Sequence, residues 1–144
     1  MSELTLVLAN KIVEEALRTG RQNGYQPLTV AVLDAGGHTV SLQRDDNSGI
    51  LRVEIATGKA YGALGMGIST RKIGDNNPDR PAFLASVAAA SGGRFVPVAG
   101  GVLVHNSNGN IIGAVGVSGD NSDNDETAAI AGIEAAGFSA NSGS

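Results

Sequence analysis

An α+β domain, in which helices cover an antiparallel sheet, is the fold class this sequence predicts, and three observations lead to it. Two pairs of β-rich segments are each joined by a short turn-forming stretch: residues 28–33 with 39–44 across Asp34-Ala35-Gly36-Gly37, and 101–105 with 111–118 across Asn106-Ser107-Asn108-Gly109-Asn110. Segments with apolar residues at helical spacing precede, separate and follow these hairpins, without the regular strand–helix–strand alternation of a parallel sheet. The 144 residues suit a single core, with no repeat or linker dividing them.

The elements follow in order. Over residues 2–23, Leu6, Ala9, Ile12, Val13, Ala16, Leu17 and Gly20 recur at helical spacing, with Ser2 as the expected cap and Gly24 and Pro27 as the stop. Leu-Thr-Val-Ala-Val-Leu at 28–33 is too apolar for a half-exposed strand and reads as a central one. Its partner, 39–44, alternates so that Val40 and Leu42 share a face. A second helix over 50–64 carries Ile55, Ala56, Lys59, Ala60, Ala63 and Leu64 on one stripe. Residues 65–80 read as a connection with a short turn near 69–73, and Pro81 opens a short helix through 90. Three β-rich segments, 94–98, 101–105 and 111–118, precede a polar loop and an Ala-rich helix over 124–138. The domain is expected to occupy 1–138, and the Ser-Ala-Asn-Ser-Gly-Ser tail, 139–144, to be disordered.

Composition narrows the function classes. With no cysteine, disulfides, thiolate-bound metals and cysteine nucleophiles are excluded. A net charge of −4, with both signs dispersed, argues against nucleic acid as a partner. No apolar run reaches the length of a membrane span, and Met1-Ser2-Glu3-Leu4 does not begin a secretory leader, so a cytoplasmic location is expected. Twenty-one glycines and only 3% aromatic residues let backbones approach closely and suggest that burial between subunits adds stability. Gly113-x-x-Gly116-x-x-Gly119 lacks the strand–turn–helix setting of a dinucleotide fingerprint.

Four segments together resemble the GlcG/HbpS-like family, which includes the C-terminal domain of PduO-type proteins. They are Val30-Ala31-Val32-Leu33-Asp34-Ala35-Gly36-Gly37-His38 leading to Arg44-Asp45; Ile55-Ala56-Thr57-Gly58-Lys59-Ala60; Pro97-Val98-Ala99-Gly100-Gly101-Val102; and Ile112-Gly113-Ala114-Val115-Gly116-Val117-Ser118-Gly119 with Asp125-Glu126. The resemblance implies a profilin-like fold with a five-stranded antiparallel sheet, a homo-oligomer, and binding of a small molecule, with haem as the first candidate cofactor. Relatives that ligate haem iron through a histidine near the N-terminal helix have no counterpart here, because residues 1–37 contain no histidine. The iron would then be ligated by His38, by His105, by a weaker ligand such as Tyr25, Tyr61, Met66 or a threonine oxygen, or by no protein group at all.

Several residues are candidates for chemistry. Lys59 lies on the apolar stripe of its helix, so either it is buried with a carboxylate partner, or its stem covers apolar surface while the ammonium reaches water. Gly100-Gly101 and Ser118-Gly119 remove side chains where strands begin and end, which would let a ligand approach backbone amides; the alternative is a tight turn or bulge. Asp123, Asp125 and Glu126 fall before or in the first turn of the last helix, where carboxylates are favoured. The expected function is a small-molecule-binding accessory protein whose pocket involves Arg44, Lys59, Gly100, Gly101, Ser118 and Gly119. The alternative is a small cofactor-independent isomerase, lyase or hydrolase using Lys59 and His38 with Asp125 and Glu126 as acid–base groups.

Overall fold

The structure, a computed structural model, describes residues 3–143. Helix α1 (Leu6–Gln22) leads to strands β1 (Thr29–Asp34) and β2 (Thr39–Arg44). Helices α2 (Arg52–Met66), α3 (Thr70–Asn76) and α4 (Pro81–Ala90) come next. Strands β3 (Gly101–His105) and β4 (Ile111–Ser118), helix α5 (Ser122–Ala135) and strand β5 (Ser139–Asn141) complete the chain. The five strands form one antiparallel sheet in the order β2-β1-β4-β3-β5. This is the α+β architecture expected from the two hairpins.

The period-2 alternation of the strands divides the core into two layers. Val30, Val32, Val102, Val104, Val115 and Val117 point to one face, where they pack with Ala9, Ile12, Val13, Ala16 and Leu17 of α1 and Ala128, Ala129 and Ile133 of α5. The intervening residues Leu33, Leu103 and Ala114 point to the other face, against Ala60 and Ala63 of α2. Small side chains on that second face bring α2 very close to the sheet: a Cβ on Gly116 would stand 1.8 Å from the Ala56 carbonyl oxygen, and one on Gly101 2.4 Å from that of Lys59. The glycine-rich, aromatic-poor composition is thus used to seat a helix on a sheet at backbone contact.

Two expectations are corrected. Residues 94–98 do not form a strand; Pro97 lacks a ladder N–H, and the segment instead runs beneath α2, where Cβ atoms on Gly62 and Gly58 would meet Phe95 and Val96 at 2.9 Å. The fifth strand comes from the tail expected to be disordered. Ser139–Asn141 pair with His105, Val104 and Leu103, and Ser69 Oγ donates to the Ser142 carbonyl.

Other differences are of boundary. The expected cap Ser2 lies outside the described residues; Thr5 caps α1, its Oγ1 accepting the Leu8 N–H at 3.2 Å. Asn121 caps α5, accepting from Asn124 N at 2.8 Å, so that helix starts and ends slightly earlier than its alanine content suggests. The turn expected near 69–73 is the full helix α3. Helix α4 begins at Pro81 as expected, yet none of its residues is buried.

Candidate functional site

Lys59 sits on the α2 stripe among Ala56, Ala60 and Ala63, and the close seating of α2 leaves its side chain no route to water. It runs instead past Gly100, where a Cβ would lie 2.7 Å from Nζ and 3.0 Å from Cδ; Gly100 itself holds φ +125°, a conformation that favours glycine. Lys59 Nζ donates to the Val117 carbonyl at 2.9 Å and to Asp125 Oδ2 at 3.1 Å. Lys59 and Asp125 are exposed by only 2% and 1%. Burial pushes the lysine pKa down and the aspartate pKa up, and each charge partly restores the other. Asp125 Oδ1 also accepts the Asp120 N–H at 2.9 Å, so both carboxylate oxygens are used.

The remaining predicted residues surround this pair or lie far from it. Glu126 is next in α5 but faces Arg71 of α3, whose Nε donates to its two oxygens at 3.1 and 2.9 Å while Nη2 reaches Asp123. These two carboxylates raise the Arg71 pKa further. Ser118 is fully buried and accepts from Arg52 Nη1 at 3.1 Å. Arg44 donates to the Ser48 carbonyl at 2.6 Å. The Gly101 amide is occupied by Thr70 Oγ1 at 2.8 Å, so the chain itself fills the close approach expected for a ligand at Gly100-Gly101. Gly119, at φ +154°, is similarly crowded by the Pro27 carbonyl oxygen, 2.2 Å from where a Cβ would be.

His38 is not brought to this cluster. It follows Asp34, which pairs with Gly113, whereas Ser118 pairs with Thr29 at the other end of the same two strands. Five residues of strand separate them, roughly 17 Å. His38 Nδ1 lies 3.2 Å from Asp34 Oδ1 on an exposed turn. The cleft beside it, about 400 Å³, is bordered by Glu3 and Asp34, two carboxylates that disfavour an anionic ligand.

A more apolar cleft of about 220 Å³ opens between α2 and α4. Tyr61 and Met66 border it from α2, Val87 from α4, and Phe95 and Arg94 from the segment that follows. The Arg94 guanidinium lies 3.9 Å from the centre of the Tyr61 ring, and Arg94 Nε donates to the Ser91 carbonyl at 3.0 Å. Tyr61 also packs against the core layer of Leu33, Ala60 and Ala63 and against the β1–β2 turn, where a Cβ on Gly37 would be 2.8 Å from the ring. Tyr61 and Met66 stand out in the sequence only as weak iron ligands, and Val87, Arg94 and Phe95 do not stand out as site residues. The one signal is an arginine beside a phenylalanine, in a segment that reads as a strand.

The chain is 33% identical over 119 residues to an uncharacterized 15.0 kDa protein from the dhaT-dhaS intergenic region of Citrobacter freundii, covering 83% of this chain and 82% of that one. Its fold is similar to the crystal structure of HbpS, with a TM-score of 0.78 at 29% identity, over 93% of this chain and 90% of that one. A crystal structure of a PduOC:heme complex shares the fold at a TM-score of 0.84 and 24% identity, over 94% and 96% of the two chains. Residues 4–134 match the family described as haem degrading protein HbpS-like, and the chain belongs to that family.

Proposed function

We propose that the protein binds haem or another planar anionic ligand in the cleft between α2 and α4, acting as a small-molecule-binding accessory protein within a homo-oligomer. The observation that carries this reading is the chemistry of the cleft: apolar walls from Met66, Val87 and Phe95, with the Arg94 cation at its edge. Apolar walls with a few placed polar groups suit a flat apolar ring bearing acid substituents. The family description, haem degrading protein HbpS-like, supports the same ligand class.

The residues present fit a macrocycle held mainly by packing. Neither histidine borders this cleft; the hydroxyl of Tyr61 and the thioether of Met66 are the donors that do. At about 220 Å³ the space is below the roughly 300–1,000 Å³ of small-molecule sites, so it takes one edge of such a ligand. The rest would lie against a second subunit, brought there by α4, which buries none of its own residues. Among the described residues no helix is long and apolar enough to cross a membrane. A cytoplasmic location belongs to the same proposal. Acid–base catalysis through Lys59 and Asp125 gains no support from the geometry, because both groups are sealed and paired with each other.

Haem titration followed by the Soret band tests this reading. Binding without a six-coordinate low-spin bis-histidine spectrum is expected, weakened by Arg94→Gln and by Val87→Glu, and little altered by His38→Ala or His105→Ala. Affinity unchanged in both cleft variants, or an imidazole-ligated spectrum lost in a histidine variant, would overturn it.

A further inference from the structure

The end of the sheet opposite His38 carries an ordered polar row unrelated to the α2–α4 cleft. Arg44, Thr29 and Ser118 are register partners on adjacent strands, Thr29 pairing with Arg44 on one side and with Ser118 on the other. They therefore point to one face, with Arg44 and Ser118 about 10 Å apart at their Cα atoms from two strand spacings. Thr29 and Ser118 are fully buried. Thr29 Oγ1 shares a hydrogen bond of 2.8 Å with Ser48 Oγ, and Ser48 also holds Arg44 through its carbonyl. Ser118 holds Arg52. Two guanidinium groups are thus anchored at the two ends of one row of buried hydroxyls.

Among the described residues neither Arg44 nor Arg52 forms an ion pair, although carboxylates are close in sequence or space. Asp45 is taken by Arg21 at 3.0 Å, and Asp125 by Lys59. Asp120 accepts from Gln26 N, Asn121 N and Asn124 Nδ2 at 2.6, 2.7 and 2.8 Å. Asp46 and Glu54, the other acids of this region, are exposed to water. Arg52 is near enough to Lys59 and Asp125 to act on the titration of both. Beside it, Ile50 and Leu51 are 91% and 62% exposed, an apolar shelf at the start of α2.

We propose that this end of the sheet is a second binding site, for a small dicarboxylate whose two acid groups are held by Arg44 and Arg52 while its methylene chain lies on Ile50 and Leu51. Guanidinium groups are suited to carboxylates because their planar donors match two oxygens at once. Two anchored arginines favour a ligand with two acid groups over one with a single acid group, since the second contact is made without a new loss of translational freedom.

Titration of the ¹⁵N-labelled protein with succinate, acetate and inorganic phosphate tests the site. Succinate is expected to saturate, shifting amides at residues 44–52 and 118–119, with affinity at least about tenfold above that of acetate. Arg44→Gln and Arg52→Gln should each lower succinate affinity by about tenfold. Arg44 is exposed, so its variant reports on binding even where Arg52→Gln disturbs Ser118. Non-saturating shifts, an unchanged response in Arg44→Gln, or phosphate binding more tightly than succinate would overturn the proposal. Haem titration of the same variants separates this site from the α2–α4 cleft, because loss of succinate binding should leave haem binding intact.

Discussion

Lys59 and Asp125 join helices that pack on opposite faces of the sheet, through a contact of 3.1 Å between groups 66 residues apart. The lysine belongs to the α2 layer and the aspartate to the α5 layer, and the side chain passes between them where Gly100 leaves room. A buried pair of this kind contributes little net stability when intact, but removing one partner leaves the other charge without compensation. Lys59→Met should therefore cost about 3–5 kcal/mol. The double variant Lys59→Met/Asp125→Leu should recover much of that loss, and urea unfolding of the two proteins measures the difference.

The two kinds of glycine in this chain should respond in opposite directions. Gly116→Ala places a methyl group 1.8 Å from the Ala56 carbonyl oxygen, which only a shift of α2 can relieve, so a loss of roughly 1–3 kcal/mol or more is expected. Gly65 is in the same helix with nothing within 4 Å of the position a methyl group would take, and Gly65→Ala should raise stability by roughly 0.5–1 kcal/mol. Thermal unfolding of the two variants beside the parent protein reads both signs.

Asp120 makes stability depend on acid pH. Its carboxylate accepts two backbone N–H groups and the Asn124 amide, and these hold its pKa below the ordinary 3.8. Because the folded value is depressed, the contribution is present above 3.8 and is lost as pH falls through the folded pKa. Asp120→Asn should show a flatter decline in melting temperature between about pH 5 and 2 than the parent protein. An identical slope would assign the acid sensitivity to other carboxylates.

Helix α4 is apolar along its length and buries none of its residues, and it makes no extensive contact with another helix or strand. Exposed Ala82, Ala85 and Ala89 form a surface that a second subunit would cover. Light scattering at micromolar concentration should therefore give a mass above the 14.4 kDa of one chain. Ala85→Glu and Ala89→Glu should shift that mass downward; a parent protein already at 14.4 kDa would remove the interface.

Much of the fold was legible because it is encoded over short distances. The hairpin segments 39–44, 101–105 and 111–118 coincide with β2, β3 and β4, since alternation and an Asn-Gly turn specify pairing within a few residues. The buried positions of α1 from Ala9 to Gly20 follow from spacing alone, and so does the inward stripe position of Lys59. What spacing leaves open is the partner on the far side of a contact. That Asp125, and not Glu126 or His38, meets Lys59 depends on the path past Gly100 and on the rotation of α5. That Ser139–Asn141 form a strand depends on an open edge at β3, which only the assembled sheet provides to a short polar segment with no pattern of its own. That residues 94–98 do not form a strand depends on the glycine faces of α2 above them. Sequence by itself determined the two hairpins and the faces that α1 and α2 bury; tertiary structure decided which charges meet, what occupies the edge and which apolar segments stay out of the sheet, because those outcomes arise from distances that no local period encodes.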